Sequence, residues 1–349
     1  MPFDASAVVF DEAGKLGLRL VLCRGGQTQA RTATDAHSPP QVQPETLDAF
    51  MAAVAHDTLR FHDPSPHAMR RVASAISTPN WSCAAEHLKP MARQARQLGI
   101  RLHSHLSETF DYVRWAREVH GCTPLQFVAE HEWVGPDVWF AHMVHLDDSE
   151  LALCAATGTG IAHCPQSNAR LGSGIARIPK ALALGVPVGL AVDGAASNEA
   201  ADMASEAHAA WLLHRANPHA DPHANLHANL HANPRAGMRI QQPGGDAAAL
   251  RVEDVVHIGT AGGARVLGLG GVGTLAVGQA ADIAVYDPDE PRHFGLHDLA
   301  IAPVASGGRC RLRALLVHGR VVVQDDVIPG LDLPQLRAQA HAAVRQMRA

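Results

Sequence analysis

The sequence is poor in charged and in aromatic residues. Lys, Arg, Asp and Glu make up 18% of the 349 residues, aromatic residues 4%, and the formal net charge is −5. Without an excess of basic residues there is no electrostatic footprint for nucleic acid, so nucleic-acid binding is not expected. There is also no apolar run near the ~20 residues of a membrane helix and no secretory signal at the start. We therefore expect a cytoplasmic protein with no membrane partner.

Paired cysteines and a glycine-rich phosphate loop are also missing. The six cysteines are scattered without a CxxC pair, which argues against a disulfide framework and against a thiolate zinc site. After the first predicted strand the sequence reads Arg24-Gly25-Gly26 rather than GxGxxG. An open, doubly wound sheet that binds a dinucleotide is therefore the less favoured architecture.

Up to about residue 200 the sequence alternates short apolar runs with amphipathic helical stretches. This pattern is typical of βα units around a parallel sheet, and the length suits a (β/α) barrel with an appendage. The predicted helices include Asp4–Lys15, Pro44–Phe61, Ala84–Leu98 and Leu146–Ala156. The predicted strands are Gly17–Arg24, Met69–Ser77, Ile100–His105, Val138–Val144, Gly160–Cys164 and Val186–Val192.

The last third of the chain changes character. A helical pattern, Val252–Leu267, contains Gly262 and Gly263, which suggest close packing, and β-like runs follow at 280–286, 314–317 and 320–324. We therefore predict a barrel domain over residues 1–270, a segment of a small β-sandwich over 271–332, and a C-terminal helix over 333–349.

A histidine-rich stretch, residues 217–245, interrupts the barrel domain. From Asn217 to Pro234 it repeats with a period of four residues and carries four histidines, His219, His223, His227 and His231. Histidines four residues apart on a helix can bind a metal ion, but the prolines of the repeat oppose a continuous helix. We expect a flexible, low-complexity insert, remote from the functional site and with opportunistic metal affinity at most.

Four polar side chains each lie at the C-terminal end of a predicted strand: His105, His142, His163 and Asp193. Barrel enzymes place their catalytic groups at this end of the strands. Glu108 lies in the loop after the strand that ends at His105. One such histidine alone would be interpreted as a hydrogen-bonded core residue. Asp193 alone would be interpreted as a helix cap, a role that Ser197 and Asn198 could take over. Together, these side chains favour a metal-dependent hydrolytic site.

The chemistry suits these residue types. Zinc or iron held by imidazole nitrogen and carboxylate oxygen lowers the pKa of a bound water to ~7, which generates hydroxide at neutral pH. A carboxylate at the metal can accept the proton of the water, and a second carboxylate can protonate a ring nitrogen of the substrate. Asp193 and Glu108 supply two such groups.

Four motifs resemble the amidohydrolase superfamily: HSHLSET, AHMVHL, IAHCPQSNARLGSGIA and VDGAASNEAADM. The resemblance is to its branch of aminohydrolases acting on purines, pterins and triazines. Three longer segments, MPFDASAVVFDEAGKLGLRLVLCRGG, FVAEHEWVGPDVWFAH and HFGLHDLAIAPVASGGR, are most similar to the isoxanthopterin deaminases and then to the 8-oxoguanine deaminases. The resemblance covers nearly the whole chain apart from the histidine-rich insert.

The resemblance implies a (β/α)8 barrel with one divalent metal ion, zinc first and iron as the alternative. It implies that His105, from strand five, and Asp193, from strand eight, are metal ligands. Glu108 is then the proton shuttle, and His142 orients or polarises the attacking water. The implied reaction is hydrolytic deamination, by metal-bound hydroxide, of an oxidised pterin or purine, with isoxanthopterin first and 8-oxoguanine second.

The resemblance also implies contacts with a small heterocyclic substrate. Glu108 would contact the ring, and His163 matches the motif of strand seven. Arg24 lies in a CRGG sequence at the end of strand three and would bind a substrate carbonyl, with a surface salt bridge as the open alternative. The oligomeric state is left open, with a homo-oligomer as one alternative.

The sequence departs from the family at the first barrel strand. Family members carry an HxH pair there that supplies two more metal ligands, whereas His103-Ser104-His105 has the same spacing but belongs to strand five. We therefore expect a barrel that lacks its first two strands, with impaired activity. The alternative is a non-catalytic remnant of such a deaminase with an incomplete metal site.

Overall fold

The computed structural model describes residues 4–30, 43–198, 200–217, 246, 248–307 and 309–348. Its larger part is a parallel sheet whose six strands are hydrogen-bonded in sequence order. The strands are β1 (Leu20–Arg24), β2 (Arg70–Ala75), β3 (Arg101–Leu106), β4 (Val138–His142), β5 (Gly160–His163) and β6 (Val188–Leu190). All six predicted strands are confirmed, with shifted ends. Consecutive parallel strands joined by helices form the wall of a (β/α) barrel.

The helices that accompany this sheet begin and end at residues suited to those positions. They are α1 (Ala5–Leu16), α2 (Leu47–Phe61), α3 (Ala85–Gln97), α4 (Phe110–His120), α5 (Pro124–Glu130), α6 (Asp148–Thr157), α7 (Pro165–Leu171), α8 (Ile178–Ala183) and α9 (Met203–Ala216). In α6, for example, Asp147 and Glu150 form a capping box, and Gly158 ends the helix with a φ of 75°. Such caps satisfy backbone groups that have no partner within the helix.

The apolar core lies between the sheet and its helices. All five residues of β4 are buried, which explains the continuous apolar run in its sequence. Trp133 has no exposed surface, and its indole Nε1 donates a hydrogen bond to the carbonyl oxygen of Leu88 at 2.8 Å. This packing gives the strand ends a rigid support.

The predicted helix Val252–Leu267 is confirmed as three joined segments: α10 (Val252–His257), a π-helical turn (Ile258–Gly262) and α11 (Gly263–Leu267). A Cβ atom on Gly262 would collide with the carbonyl oxygen of Val188 in β6, and one on Gly189 would lie 3.0 Å from the Cα of Gly263. These glycines therefore permit the close packing of helix on strand that the sequence predicted.

The region after residue 270 contains a second sheet, which is antiparallel. Its strands are β7 (Ile283–Asp287), β8 (Arg311–Val317) and β9 (Arg320–Gln324), in the order β7-β8-β9. The short helix α12 (Ala302–Ala305) precedes β8, and α13 (Leu333–Arg348) follows β9. The described residues here supply one sheet, so the sandwich and the domain boundaries stay predictions.

Two further predictions are not tested by the described residues. Among the described residues, the edge strands of the sheet are β1, which pairs with β2, and β6, which pairs with β5. This arrangement does not test whether two strands are missing from the barrel, so that expectation stays a prediction. The histidine-rich segment 218–245 lies outside the described residues.

In the part of the chain that is described, no helix has both the length and the apolar character required to cross a membrane.

Candidate active site

Three predicted side chains meet where the parallel strands end. The register of β3 and β4 places His105 beside Ala141 and Leu106 beside His142, and Asp193 follows β6. Each of His105, His142 and Asp193 offers one candidate ligand atom, and these atoms all lie within 4.8 Å of one another. The three side chains are therefore close enough together to be considered as candidate ligands of one metal ion.

His105 is oriented by the carbonyl group of Ser77. Its Nδ1 lies 2.8 Å from that oxygen, and because a carbonyl can only accept, Nδ1 carries the proton. The unprotonated Nε2 is thus the nitrogen left for a metal ion. The ring also stacks on that of His142, with centroids 5.4 Å apart.

His142 ends β4 in a backbone conformation that is uncommon for a residue with a side chain. Its φ is 72°, in the left-handed region, and its side chain is 1% exposed. The ring Nδ1 lies 2.9 Å from Oδ1 of Asn168. The other nitrogen, Nε2, lies 3.8 Å from Oε2 of Glu108 and 3.9 Å from Oδ2 of Asp193. The strained turn therefore directs Nε2 between two carboxylates.

Asp193 is held by two hydroxyl groups. Its Oδ2 accepts hydrogen bonds from Ser167 at 2.6 Å and from Ser197 at 3.0 Å. Burial raises the pKa of this carboxyl group, but the hydrogen bonds that it accepts, that of Ser167 first, outweigh the effect of burial, so that the pKa lies below the usual 3.8. The group is therefore a carboxylate at neutral pH, as a metal ligand must be.

The turn after β6 is built around Asp193 itself. The hydroxyl of Ser197 donates to the carboxylate of Asp193, and the side-chain oxygen of Asn198 accepts from the N–H of Ala201. The residue with a positive φ is Asp193 itself, at 67°, whereas Gly194 is not among the glycines with a positive φ. Its short polar side chain allows an aspartate to adopt this conformation more readily than most residues.

Glu108 lies in the loop between β3 and α4, with its side chain 24% exposed. It therefore borders the site from the solvent side while its carboxylate is within 3.8 Å of His142. A carboxylate that can reach both the site and water is well placed to transfer protons.

The first histidine of the LHSHLS sequence, His103, is engaged elsewhere. Its ring stacks on Trp139 with centroids 4.7 Å apart, and its Nδ1 lies 3.3 Å from the carbonyl oxygen of the same residue. Burial, followed by the charge of His105, lowers the pKa of His103 to about 3. His103 is therefore a neutral packing residue at physiological pH.

His163 lies inside the protein rather than on an exposed wall. It is 1% exposed, and its Nε2 lies 3.0 Å from Nε2 of His214 on α9, which has no exposed surface. Burial lowers the pKa of His163 well below its usual range and that of His214 to about 4. The pair is therefore uncharged, and the predicted contact of His163 with substrate stays a prediction.

Arg24 lies at the end of β1 and is paired with an acidic residue. Its Nη2 is 2.5 Å from Oε1 of Glu45, and its guanidinium lies 5.6 Å from the ring centre of Phe50. The side chain is 21% exposed. The salt bridge that the sequence left open as an alternative is present, and a substrate contact by the remaining donors stays a prediction.

Sequence reasoning assigned no role to four residues that support the site. Ser167 and Asn168 lie within the quoted IAHCPQSN motif but were not singled out. Glu206 and His214 lie eight residues apart on the buried face of α9. The spacing of Glu206, Ala210 and His214 along one helix face was the available signal, because charged residues at buried positions need partners.

The donor set of this site fits a divalent metal ion. It consists of two imidazole nitrogens and one carboxylate oxygen, the ligand types of catalytic zinc. Atoms bound to one zinc at ~2.0–2.2 Å lie at most about 4.4 Å apart. The spacing of up to 4.8 Å therefore requires movements of only a few tenths of an ångström. His105 and His142 also have their second ring nitrogens hydrogen-bonded, as ligating histidines usually do.

Comparison with known proteins places this geometry among enzymes. The sequence matches the amidohydrolase family over residues 66–322. It is 51% identical to an isoxanthopterin deaminase from an unknown prokaryotic organism, across 99% of this chain and 69% of that protein. It is 33% identical to an 8-oxoguanine deaminase of Pseudomonas aeruginosa, across 97% of this chain and 68% of that protein.

The fold has a counterpart among solved structures that contain zinc. The crystal structure of atrazine chlorohydrolase TrzN from Arthrobacter aurescens, complexed with zinc, superimposes with a TM-score of 0.80. The two sequences are 26% identical, and the match covers 96% of this chain and 68% of that one. The strands and helices that carry the candidate ligands are thus shared with an enzyme that binds zinc.

Proposed function

The chain belongs to the amidohydrolase family, and we propose that its site deaminates an oxidised, amino-bearing pterin or purine by metal-dependent hydrolysis. Isoxanthopterin is the first substrate to test and 8-oxoguanine the second, in the order of identity to the two named relatives. The observation that carries the proposal is the convergence of His105, His142 and Asp193 within 4.8 Å, beside Glu108.

The residues that would hold the metal are His105 and Asp193, with Nε2 of His142 within reach of the same ion. Zinc is the first choice because the donors are nitrogen and carboxylate oxygen, and iron is the alternative. A divalent cation held there would supply Lewis-acid chemistry and would lower the pKa of a water molecule toward ~7.

The side chains of the site divide the proton transfers between them. Asp193, a carboxylate at neutral pH, accepts a proton from the attacking water. His142 orients that water through its unprotonated Nε2, and Glu108 delivers a proton to a ring nitrogen of the substrate. The water oxygen bonds to the amino-bearing ring carbon, and the proton accepted by Asp193 passes to the amino nitrogen. The bond from that carbon to the amino nitrogen then breaks and ammonia leaves, while the remaining hydroxyl proton returns to Glu108 as the ring carbonyl forms.

The two other residues that we propose to contact the substrate are Arg24 and His163. Arg24 is held by Glu45 through Nη2 and Nη1, so a substrate carbonyl would bind the Nε side of the guanidinium. His163 would act from the buried side of the site, through the pair that it forms with His214. Substituting Arg24 and His163 one at a time tests the two proposed contacts separately. Loss of a contact that only binds substrate raises KM and leaves kcat unchanged.

The test is ammonia release from isoxanthopterin and from 8-oxoguanine, measured with zinc added and after zinc has been removed by a chelator. Glu108→Gln and Asp193→Asn each remove a proton-transfer group while keeping the shape of the side chain. We expect each to reduce kcat about 10²–10⁴-fold. Glu118→Gln, an exposed position on α4, is the matched control and should leave kcat unchanged. Absence of zinc-dependent ammonia release from either compound, or activity that survives both substitutions, would contradict the proposed function.

A further inference from the structure

Two consecutive residues at the start of α7 contact two different side chains of the site. Ser167 donates a hydrogen bond to Oδ2 of Asp193 at 2.6 Å, and Oδ1 of Asn168 lies 2.9 Å from Nδ1 of His142. Ser167 has no exposed surface and Asn168 is 1% exposed. Neither residue reaches the reacting groups, so both act through the side chains that they hold.

We propose that Asn168 is a positioning residue that keeps the proton of neutral His142 on Nδ1 and thereby leaves Nε2 unprotonated toward the site. The inference deepens the proposed function, on which its catalytic meaning rests. The position of the proton itself is a property of the metal-free protein.

The argument starts from the partners of the two ring nitrogens. A neutral imidazole has one N–H donor and one acceptor nitrogen. Nε2 faces two carboxylates, Glu108 at 3.8 Å and Asp193 at 3.9 Å, and both favour a proton on that side. Asn168 lies much closer, at 2.9 Å from Nδ1, where an amide oxygen accepts a full hydrogen bond. The shorter contact therefore opposes the two carboxylates and keeps the proton away from Nε2.

The orientation of the amide group matters, since its nitrogen could only donate. If Nδ2 of Asn168 faced Nδ1 of His142, the proton would be forced onto Nε2, and that nitrogen could neither bind a metal nor accept from water. With Oδ1 toward the ring, Nδ2 is the atom without a hydrogen-bond partner among the described residues. Direct measurement of the ring nitrogens distinguishes the two orientations.

Asn168 is held firmly enough to determine which ring nitrogen of His142 carries the proton. Its backbone N–H donates to the carbonyl of Cys164 at 3.0 Å, and its carbonyl accepts from the N–H of Ser173 at 2.9 Å. At the start of the same helix, the N–H of Gln166 donates to Oε2 of the buried Glu206 at 3.1 Å. Both ends of the α7 segment are thus fixed, which keeps the side-chain amide in place.

The test compares Asn168→Asp with Asn168→Leu in the metal-free protein. The two replacements have nearly the same volume, but aspartate keeps the acceptor and leucine removes it. The readout is the pair of ¹⁵N chemical shifts of the His142 ring, recorded at a pH where imidazole is neutral and assigned by their loss in His142→Gln. Leu171→Ala, at an exposed position of the same helix, is the control.

We expect the wild type, the aspartate variant and the control to carry the proton on Nδ1, and the leucine variant to carry it on Nε2. Zinc affinity should fall about 10–100-fold in the leucine variant and recover in the aspartate variant. A proton on Nε2 in the wild type, or on Nδ1 in a folded leucine variant, would overturn the inference. Failure to release ammonia despite the expected shifts would instead count against the proposed function alone.

Discussion

The buried carboxyl group of Glu206 should make the protein less stable as the pH rises from weakly acidic to neutral. This side chain has no exposed surface and accepts hydrogen bonds from the N–H of Gln166 at 3.1 Å and from Nδ2 of Asn198. Burial raises its pKa from 4.5 to about 7, against the effect of these hydrogen bonds, and the charges of Asp193 and Asp202 raise it further.

The direction and size of the effect follow from these pKa values. The unfolded chain releases the proton near pH 4.5, whereas the folded protein retains it up to about pH 7. The contribution of Glu206 to stability is therefore fully present below pH 4.5 and is lost as the pH rises through about 7. At ~1.4 kcal/mol per pH unit, the interval between the two pKa values corresponds to a loss of about 3 kcal/mol.

Urea unfolding, followed by tryptophan fluorescence at about pH 5 and about pH 8, measures this loss. The free energy of unfolding of the wild type should fall by about 2–3 kcal/mol more than that of Glu206→Gln, which cannot titrate at this position. Glu118→Gln, at an exposed position, should behave as the wild type does. If the wild type and Glu206→Gln lose the same free energy between the two pH values, the pKa assigned to Glu206 is wrong.

Three further changes probe other parts of the structure. Ser167→Ala removes the hydrogen bond that contributes most to lowering the pKa of Asp193. The stability linked to this carboxylate is lost as the pH falls below 3.8, so the midpoint of acid unfolding should move to higher pH in this variant. Trp133→Phe leaves the Leu88 carbonyl without its indole donor and should cost about 1–3 kcal/mol in urea unfolding. Arg24→Ala should raise KM with little change in kcat if Arg24 binds substrate, whereas an unchanged KM would leave only its salt bridge with Glu45.

The strands could be predicted because their signal is local. Val138–His142 is an uninterrupted apolar run, and its five residues are all buried in the sheet. The predicted ends were less accurate: the run Val186–Val192 contains a strand of only three residues, Val188–Leu190. Pro187 has no N–H for the sheet, and the chain leaves the strand on its way to the left-handed turn at Asp193.

The place of the site could also be predicted, because parallel strands bring their carboxyl ends to one edge. That rule alone places His105, His142 and Asp193 near one another, although they are up to 88 positions apart in the chain. What the rule cannot supply is the partner of each side chain. The contacts of His142 with Asn168 and of His163 with His214 join residues 26 and 51 positions apart, and they depend on how the helices are seated.

His163 shows why residue type and position at a strand end are insufficient. Its sequence environment matches that of His142, since both histidines end an apolar strand. The ring of His142 nonetheless turns toward two carboxylates, whereas that of His163 turns toward a second buried histidine. The difference arises from backbone conformation, because the φ of 72° at His142 redirects its side chain and His163 is not among the residues with a positive φ.

The most direct test of the central claim, a metal centre at the ends of the strands, is the location of zinc by anomalous scattering. Crystals grown with zinc and measured on both sides of its absorption edge should show a peak ~2.0–2.2 Å from Nε2 of His105 and from a carboxylate oxygen of Asp193. The same peak should be absent in Asp193→Ala crystals grown in parallel. Zinc found only elsewhere on the chain, with these side chains ordered and no peak between them, would contradict the account.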